Sequence, residues 1–292
     1  MNRFGLIGAS GYIAPKHMEA IKNTGGELVT ILDPNDSVGV IDRYHPKATY
    51  FSEYERFDRE VDRLRRIGKG LDYISIASPN YLHDAHIRFA LKNGSNAICE
   101  KPLVLNPYSI NSLEELQRET GKNIHPILQL RLHQSIIDIN DNIGKTQNNE
   151  VELKYVTPRG KWYHYSWKGD EVKSGGIATN IGIHFFDMLL WIFGEVKNNY
   201  VFHHTKNNSQ GYLELERANV NWSLSVDERD LPHREWKAFR SIKINGEEVD
   251  FSSGFTDLHT KSYQEILNGN GFTLNDAKPA LDLVHKIRNY KT

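Results

Sequence analysis

The stretch that decides the fold is Arg3-Phe-Gly-Leu-Ile-Gly8-Ala-Ser-Gly11-Tyr-Ile-Ala14. Residues 3–8 form a short apolar run typical of a buried strand, and residues 12–23 have the apolar spacing of a helix. Between them, Gly8, Gly11 and Ala14 are small enough to let the backbone approach a phosphate group at a helix N-terminus. The spacing G-x-x-G-x-x-A is one residue longer than the usual dinucleotide-binding fingerprint. An ordinary strand-to-helix turn explains this pattern equally well.

The alternation of strand and helix continues through the first 130 residues. We predict further buried strands at residues 27–32, 71–77, 96–99 and 124–129, and further helices at residues 52–67, 81–92 and 109–120. Strands joined through helices at this spacing build a parallel sheet that is covered on both faces.

The second half of the chain has a different pattern. Apolar and polar residues alternate, as in strands with one wet face, at residues 151–156, 213–216, 220–226 and 236–244. Helices are predicted at residues 177–193, 257–267 and 276–289. We therefore predict an α/β domain at residues 1–128, followed by an α+β domain with an open, mainly antiparallel sheet at residues 129–292.

Composition excludes several classes of protein. The chain has 292 residues with 39% apolar residues and a formal net charge of −1, which argues against a basic nucleic-acid or membrane-surface binder. The single cysteine, Cys99, excludes an intrachain disulfide and a cysteine-based zinc site. The start of the chain does not resemble a signal peptide, and the apolar run at residues 181–193 is interrupted by His184 and Asp187. We expect a cytoplasmic protein.

Asp33 strengthens the dinucleotide interpretation of the glycine turn. It ends the second predicted strand, 25 residues after Gly8, where a carboxylate can bind the ribose hydroxyls. The same carboxylate would repel the 2′-phosphate of NADP, so NAD is the expected cofactor. The alternative is a turn residue before Pro34. Position and context favour the cofactor role.

Two polar segments follow the third and fourth predicted strands. Ser78-Pro-Asn80-Tyr-Leu-His83 follows one, and Glu100-Lys101-Pro102 follows the other. The carboxyl ends of parallel strands are the edge at which open α/β sheets bind ligands. Beside a cationic nicotinamide, Lys101 would be a usable proton donor or acceptor. The alternative for Lys101 is a snorkelling side chain paired with Glu100.

Together with a later S-G-G-x-x-x-N-x-G-x-H-x-x-D pattern at residues 174–187, these motifs resemble the glucose–fructose oxidoreductase/inositol dehydrogenase (Gfo/Idh/MocA) family. The resemblance implies a Rossmann domain for NAD and an open-faced sheet domain for a sugar, and a homo-oligomer, either a dimer or a tetramer. The segments at residues 11–17, 78–91, 129–133 and 157–164 are similar to one subgroup, the bacterial UDP-N-acetyl-glucosaminuronate 3-dehydrogenases.

That subgroup implies a specific reaction. Its members oxidise the C3 hydroxyl of UDP-2-acetamido-2-deoxy-D-glucuronate with NAD, in the biosynthesis of surface polysaccharide (lipopolysaccharide O-antigen) sugars. Some members recycle NADH with 2-oxoglutarate. The resemblance implies Lys101 and His184 as catalytic residues. It also implies cofactor contacts from Gly8, Gly11, Tyr12, Ile13, Asp33, Ser78, Asn80, His83, Glu100, Lys101 and Gln129.

Substrate contacts are expected from Lys101, Arg131, Arg159, Tyr163, Trp167, Asn180 and His184. The arginines can bind a diphosphate or carboxylate with two hydrogen bonds, and the aromatic residues can stack on uracil or a sugar, although sheet packing explains the aromatics equally well. Asn180 stands where the family usually has an acid, and an amide cannot take a proton. The histidines at 83, 86, 203 and 204 lack the further ligands that a metal needs, so no metal is predicted.

Two other functions stay open. One keeps the fold and changes the substrate to another nucleotide sugar, such as UDP-N-acetylglucosamine, or to a polyol. The other is a non-catalytic protein that binds a dinucleotide and regulates a partner, since a fold does not fix a function.

Overall fold

The computed structural model describes residues 1–144, 148–250 and 256–290. These residues form two compact units, one of residues 1–129 with 256–277 and the other of the remaining described residues. The predicted division after residue 128 stays a prediction. The structure adds that residues 256–277, which the sequence analysis assigns to the second domain, pack with the first unit. Their helical periodicity carries no information about the unit that they join.

The elements follow in chain order. Up to residue 126 they are β1 Arg3–Ile7, α1 Ala14–Asn23, β2 Glu27–Leu32, α2 Ile41–Tyr44, β3 Thr49–Phe51, α3 Tyr54–Arg66, β4 Tyr73–Ile76, α4 His83–Lys92, β5 Asn96–Cys99, α5 Ser109–Thr120 and β6 Ile124–Pro126. After that they are α6 Gln134–Asn142, β7 Asn149–Val156, α7 Lys161–Tyr165, α8 Glu171–Ser174, α9 Ile183–Phe193, β8 Val196–His204, β9 Asn208–Leu215, β10 Ala218–Ser225, β11 Phe239–Ile244, β12 Glu247–Glu248, α10 Leu258–Leu267 and α11 Leu274–Arg288.

The first unit contains a six-stranded sheet in the order β3-β2-β1-β4-β5-β6, with every neighbouring pair parallel. The predicted parallel sheet is therefore confirmed. The sequence analysis missed β3, which has three residues and no fully buried one. Helix α10 packs into the same apolar core as β1 and α1, because Tyr263 and Ile266 contact the cluster that contains Phe4 and Met18. The unit thus has a core built from two distant parts of the chain.

The second unit contains a six-stranded sheet in the order β12-β11-β7-β10-β9-β8. Strands β7 and β10 run parallel, and the other neighbours run antiparallel, so the prediction of an open, mainly antiparallel sheet is confirmed. The sequence analysis missed β8. This strand lies at the edge of the sheet and buries only Val201 fully, so it lacks the regular apolar alternation of an inner strand.

The predicted helix at residues 177–193 is confirmed, but it is not α-helical throughout. Ala178–Gly182 is π-helical, and the α-helix α9 begins at Ile183. A Cβ on Gly182 would lie 2.5 Å from a methyl carbon of Leu224, so this glycine lets the π-helical turn pack closely on β10. Single-turn π segments are frequent at functional sites.

The helical segment Glu171–Phe193 is long and apolar enough to cross a membrane by length and composition. In its most apolar window, however, 78% of the residues are buried inside the protein. Phe186 of α9, for example, packs edge-on against Trp222 of β10 with ring centroids 5.3 Å apart. This is the packing of a helix in a protein core.

Candidate active site

The glycine turn after β1 is built for close backbone approach. Gly8 has φ +98°, and a Cβ there would lie 2.5 Å from the carbonyl carbon of Ala77 and from the nitrogen of Ser78. Gly11 is less constrained, since its Cβ would meet only ordinary contacts at 3.4 and 3.5 Å. The turn leads into α1 through Tyr12, which is exposed, and Ile13, which packs against the core. Gly8 is therefore the point at which the turn lies against the backbone that follows β4.

Asp33 lies at the end of β2 and contacts that turn. Its Oδ2 accepts hydrogen bonds from the backbone nitrogen and the hydroxyl of Ser10, at 2.8 and 2.9 Å. Its Oδ1 accepts one from the nitrogen of Asn35 at 2.8 Å, so the turn role that competes with the cofactor role also describes part of its environment. The acidic end of β2 and the glycine turn are thus parts of one site.

The two polar segments after β4 and β5 are joined by His83. Its Nδ1 lies 2.7 Å from the Pro102 carbonyl oxygen and its Nε2 lies 2.8 Å from the Ser78 carbonyl oxygen. His83 is completely buried, so it bridges the two segments from inside, and its predicted cofactor contact stays a prediction. The Ser78 hydroxyl also contacts Nδ1 of His86 at 2.9 Å. Burial, and to a smaller extent the neighbouring His83, lowers the pKa of His86 to about 4.

Glu100, immediately before Lys101, is buried in a polar cluster. Its Oε1 accepts hydrogen bonds from Nε2 of His17 at 3.1 Å and from Nε2 of His259 at 2.8 Å. Burial alone would raise the pKa of Glu100, but the hydrogen bonds and the electrostatic attraction of the two histidines together outweigh it and hold the pKa well below its usual value. The ligand atoms of the three side chains lie within 4.8 Å of one another, a spacing that suits a metal ion. The expectation that no metal binds stays a prediction.

Two further predicted cofactor residues also lie in the first unit. Asn80 is buried at the first position after Pro79, in a turn that leads into α4. The Oε1 of Gln129 is buried and has no hydrogen-bond partner among the described residues. A buried acceptor of this kind fits a bound dinucleotide, because it offers a hydrogen-bonding atom that the described residues do not use.

In the second unit, Arg131 does not extend towards solvent. Its guanidinium donates from Nε and Nη2 to both carboxylate oxygens of Asp187, at 3.0 and 2.7 Å, and both side chains are buried. Arg131 lies in the short helical turn Gln129–Leu132. Its role in substrate binding stays a prediction. Asp187 was missed as a partner, although the motif that ends in it was noted.

A second group in this unit gathers around Tyr163. Asn180 donates from Nδ2 to the Tyr163 hydroxyl at 3.3 Å. Burial raises the pKa of Tyr163, although this hydrogen bond and the nearby charge of Arg159 oppose the shift. Lys168, which the sequence analysis missed, lies 5.5 Å from the ring centre of Trp162 and 5.7 Å from that of Trp167.

Burial lowers the pKa of Lys168, and nearby Arg159 lowers it further. Two cations held close together create a site that favours an anion. The sequence feature that could have indicated Lys168 is its place directly after Trp167, which was already a candidate substrate residue.

His184 lies in the first turn of α9, directly after the π-helical segment that carries Asn180. Gly175 and Gly176, which precede them, both have positive φ, at 84° and 73°, a backbone conformation that favours glycine. The catalytic role of His184 stays a prediction.

Comparison with known proteins follows the same two-part division. Residues 2–127 match the oxidoreductase family, NAD-binding Rossmann fold (GFO_IDH_MocA) model, and residues 138–224 match the model of its C-terminal alpha/beta domain. The chain belongs to the Gfo/Idh/MocA oxidoreductase family. The predicted family and the predicted NAD-binding domain are confirmed.

The chain is similar over its whole length to a solved structure of the WlbA (WbpB) dehydrogenase from Thermus thermophilus in complex with NAD and UDP-GlcNAcA. That similarity is 48% identity with a TM-score of 0.96, and it covers 100% of this chain and 96% of the other. A second structure of the Thermus enzyme, in complex with NAD and alpha-ketoglutarate, gives 49% identity and the same TM-score and coverage.

Among curated relatives, glucose-6-phosphate 3-dehydrogenase from Bacillus subtilis is 26% identical over 204 residues, which is 66% of this chain. The match spans 54% of that relative's length, about half.

Proposed function

We propose that this protein oxidises the C3 hydroxyl of UDP-2-acetamido-2-deoxy-D-glucuronate to a ketone with NAD. The observation that carries the proposal is the 48% identity, over the whole chain, to a Thermus dehydrogenase whose structure holds NAD and UDP-GlcNAcA. In support, the first unit places the tightly packed glycine turn at Gly8 in contact with Asp33 at the end of β2, an arrangement that suits NAD. By the same resemblance, we propose that the product serves surface-polysaccharide biosynthesis in the cytoplasm.

The residues assigned to the chemistry are Lys101 and His184. When bound, NAD supplies the acceptor for the hydride that leaves C3. One of the two side chains takes the proton of the C3 hydroxyl, and Lys101 also donates a hydrogen bond to the oxygen as negative charge develops on it. The amide of Asn180 acts neither as an acid nor as a base, so in this proposal it orients the neighbouring groups by hydrogen bonding.

The cationic pair of Arg159 and Lys168 supports an anionic substrate. A nucleotide-sugar uronate carries a diphosphate and a carboxylate, and arginine binds both groups with parallel hydrogen bonds. The indole rings of Trp162 and Trp167 beside Lys168 offer flat surfaces for a uracil or sugar ring. We assign this group to the nucleotide-sugar side of the reaction.

We also propose that 2-oxoglutarate regenerates NAD on the enzyme. The support is the second Thermus structure, which holds NAD together with alpha-ketoglutarate. In such a cycle the ketone of 2-oxoglutarate is reduced to a hydroxyl as NADH returns to NAD, so the electrons balance over two half-reactions. A homo-oligomer belongs to the same proposal, with the open face of the second sheet, where Tyr200 and Phe202 are exposed, as the packing surface.

The test is an absorbance assay of NADH formation with three substrates offered separately: the UDP-uronate, UDP-N-acetylglucosamine and myo-inositol. We expect NADH from the uronate alone, and a larger total amount of keto sugar when 2-oxoglutarate is present. Oxidation of UDP-N-acetylglucosamine or the polyol in preference to the uronate would contradict the proposed substrate. Tight NAD binding without oxidation of any of the three would favour the regulatory alternative.

A further inference from the structure

The cluster around Glu100 is a hydrogen-bond chain of five side chains inside the first unit. Ser75 of β4 contacts the hydroxyl of Tyr263 at 2.6 Å, and that hydroxyl contacts Nδ1 of His17 at 2.7 Å. His17 and His259 then meet on the same oxygen of Glu100. A single assignment of hydrogen atoms is consistent with all of these hydrogen bonds. The tyrosine hydroxyl donates to Nδ1 of His17, and the Nε2–H groups of His17 and His259 donate to the carboxylate.

This cluster lies at the start of the segment that carries Lys101. The second oxygen of Glu100 accepts a hydrogen bond from the backbone nitrogen of Lys101 at 3.3 Å. The carboxylate thus links the side chains of α1 and α10 to the backbone at the end of β5. At Pro102, the same segment is also held by the contact of His83 Nδ1 with the Pro102 carbonyl oxygen.

Stability alone is a weak explanation for such a cluster. Replacing a buried ionic group by apolar side chains of similar volume is often neutral or stabilising, because burial of a charge is unfavourable. Glu100 and His259 are 5% and 7% exposed, and His17 is not exposed at all. Hydrogen bonds fix the orientation of a side chain more precisely than apolar packing does. A polar cluster in this position is therefore explained if it holds the neighbouring residue, Lys101, in one place.

We infer that His17 and His259 are positioning residues that fix the Glu100 carboxylate and, through it, the backbone of Lys101. His259 lies on α10, within the segment that returns to the first unit from 159 residues further along the chain. Residues 256–277 therefore contribute to the position of Lys101 as well as to the apolar core. The inference rests on the proposed function, because it assigns the chemistry to Lys101.

The test compares His259→Leu with His259→Gln. Leucine removes the donor, whereas the glutamine amide nitrogen replaces Nε2 at nearly the same place. For His259→Leu we expect kcat with the UDP-uronate to fall about tenfold, with the KM for NAD unchanged, because a small misplacement of a reacting group lowers the rate by such factors. His259→Gln is expected to restore most of the rate. A kcat for His259→Leu equal to that of the wild type would overturn the inference.

Hydrogen exchange provides a readout that does not depend on activity. In His259→Leu we expect the amides of residues 100–104 to exchange about tenfold faster, while helix α3 keeps its wild-type rates, as local opening predicts. Unchanged exchange at residues 100–104 would overturn the inference. Faster exchange in this variant, combined with a wild type that does not oxidise the uronate, would refute the proposed function and leave the positioning role standing.

Measurement of the metal content of the purified protein separates hydrogen bonding from metal binding in this cluster. We expect less than about 0.1 equivalent of bound zinc, because a site that holds zinc retains it near one equivalent. One equivalent of zinc that is lost in His259→Leu and in Glu100→Gln would overturn the inference and establish a metal site instead.

Discussion

Arg131 and Asp187 form a two-point ion pair in the interior of the second unit, with nitrogen–oxygen distances of 3.0 and 2.7 Å. The pair ties the turn after the first unit's last strand to the middle of α9. An arginine in this state already uses two of its donors on the protein. The ion pair therefore stabilises the second unit, in addition to any role of Arg131 in substrate binding.

Asp187→Asn is expected to lower the free energy of unfolding by about 3 kcal/mol, because a buried guanidinium then lacks its countercharge. Urea unfolding measures this change. The double variant Arg131→Met/Asp187→Leu removes both charges and is expected to recover part of the loss. Glu60→Gln is the control, since Glu60 pairs with the exposed Arg63 on α3 and its loss is expected to change stability by less than about 1 kcal/mol. A change at Asp187 as small as at Glu60 would contradict this account.

Gly8→Ala is expected to weaken NAD binding more than about tenfold, because the added Cβ displaces the turn from the backbone of Ala77 and Ser78. Gly11→Ala is the matched control, since its Cβ meets only ordinary contacts. Quenching of tryptophan fluorescence by NADH measures both affinities. Equal affinities of the two variants would show that the close approach at Gly8 is not needed for binding.

Asp33→Asn is expected to reduce the preference for NAD over NADP by about tenfold, because the amide no longer repels a 2′-phosphate. The amide oxygen still accepts a hydrogen bond, so the contact with Ser10 has a replacement. Asp36→Asn, three residues further on and exposed, is the control. The dissociation constants of both cofactors, measured by calorimetry, decide the matter. An unchanged NAD-to-NADP ratio in Asp33→Asn would leave only the turn role for this residue.

The buried imidazole of His86 predicts a loss of stability in acid. Its pKa is about 4 in the folded protein, below the usual value of 6.5, so the unfolded chain binds a proton first as the pH falls. Stability that is present above pH 6.5 is therefore lost between pH 6.5 and 4. From pH 7.5 to 4.5, His86→Asn is expected to lose about 2 kcal/mol less than the wild type in urea unfolding. His203→Asn, at an exposed site, is the control, and an identical loss in both variants would contradict the prediction.

The sequence predicted those features that depend on neighbours along the chain. The glycine turn at Gly8, the acid at the end of β2 and the lysine after β5 each follow a strand whose apolar run is visible by itself. Pairings between distant residues left no such signal. Arg131 and Asp187 are 56 residues apart, and Glu100 and His259 are 159 apart, so only the folded chain reveals them. The π-helical turn before His184 was not predicted, because it continues directly into α9 and no local sequence pattern separates a π-helical turn from an α-helical one.

Lys101→Met is expected to abolish turnover, with a decrease of at least about 100-fold, because the methionine side chain can neither exchange a proton nor stabilise an alkoxide. NAD binding is expected to stay within about threefold of the wild type, since most of the cofactor contacts lie elsewhere. Lys92→Met, on the exposed end of α4, is the control. Single-turnover rates and equilibrium binding of NADH separate the two effects. Near-normal turnover would refute the assignment of Lys101.

The central claim is that the hydride comes from C3 of the UDP-uronate. The most direct test supplies the wild-type enzyme with UDP-2-acetamido-2-deoxy-D-glucuronate that carries deuterium at C3, in the absence of 2-oxoglutarate, and weighs the reduced cofactor by mass spectrometry. Our account predicts one deuterium in each reduced cofactor and a keto sugar that has lost that deuterium. A reduced cofactor without deuterium, formed from a substrate that keeps its label, would contradict it.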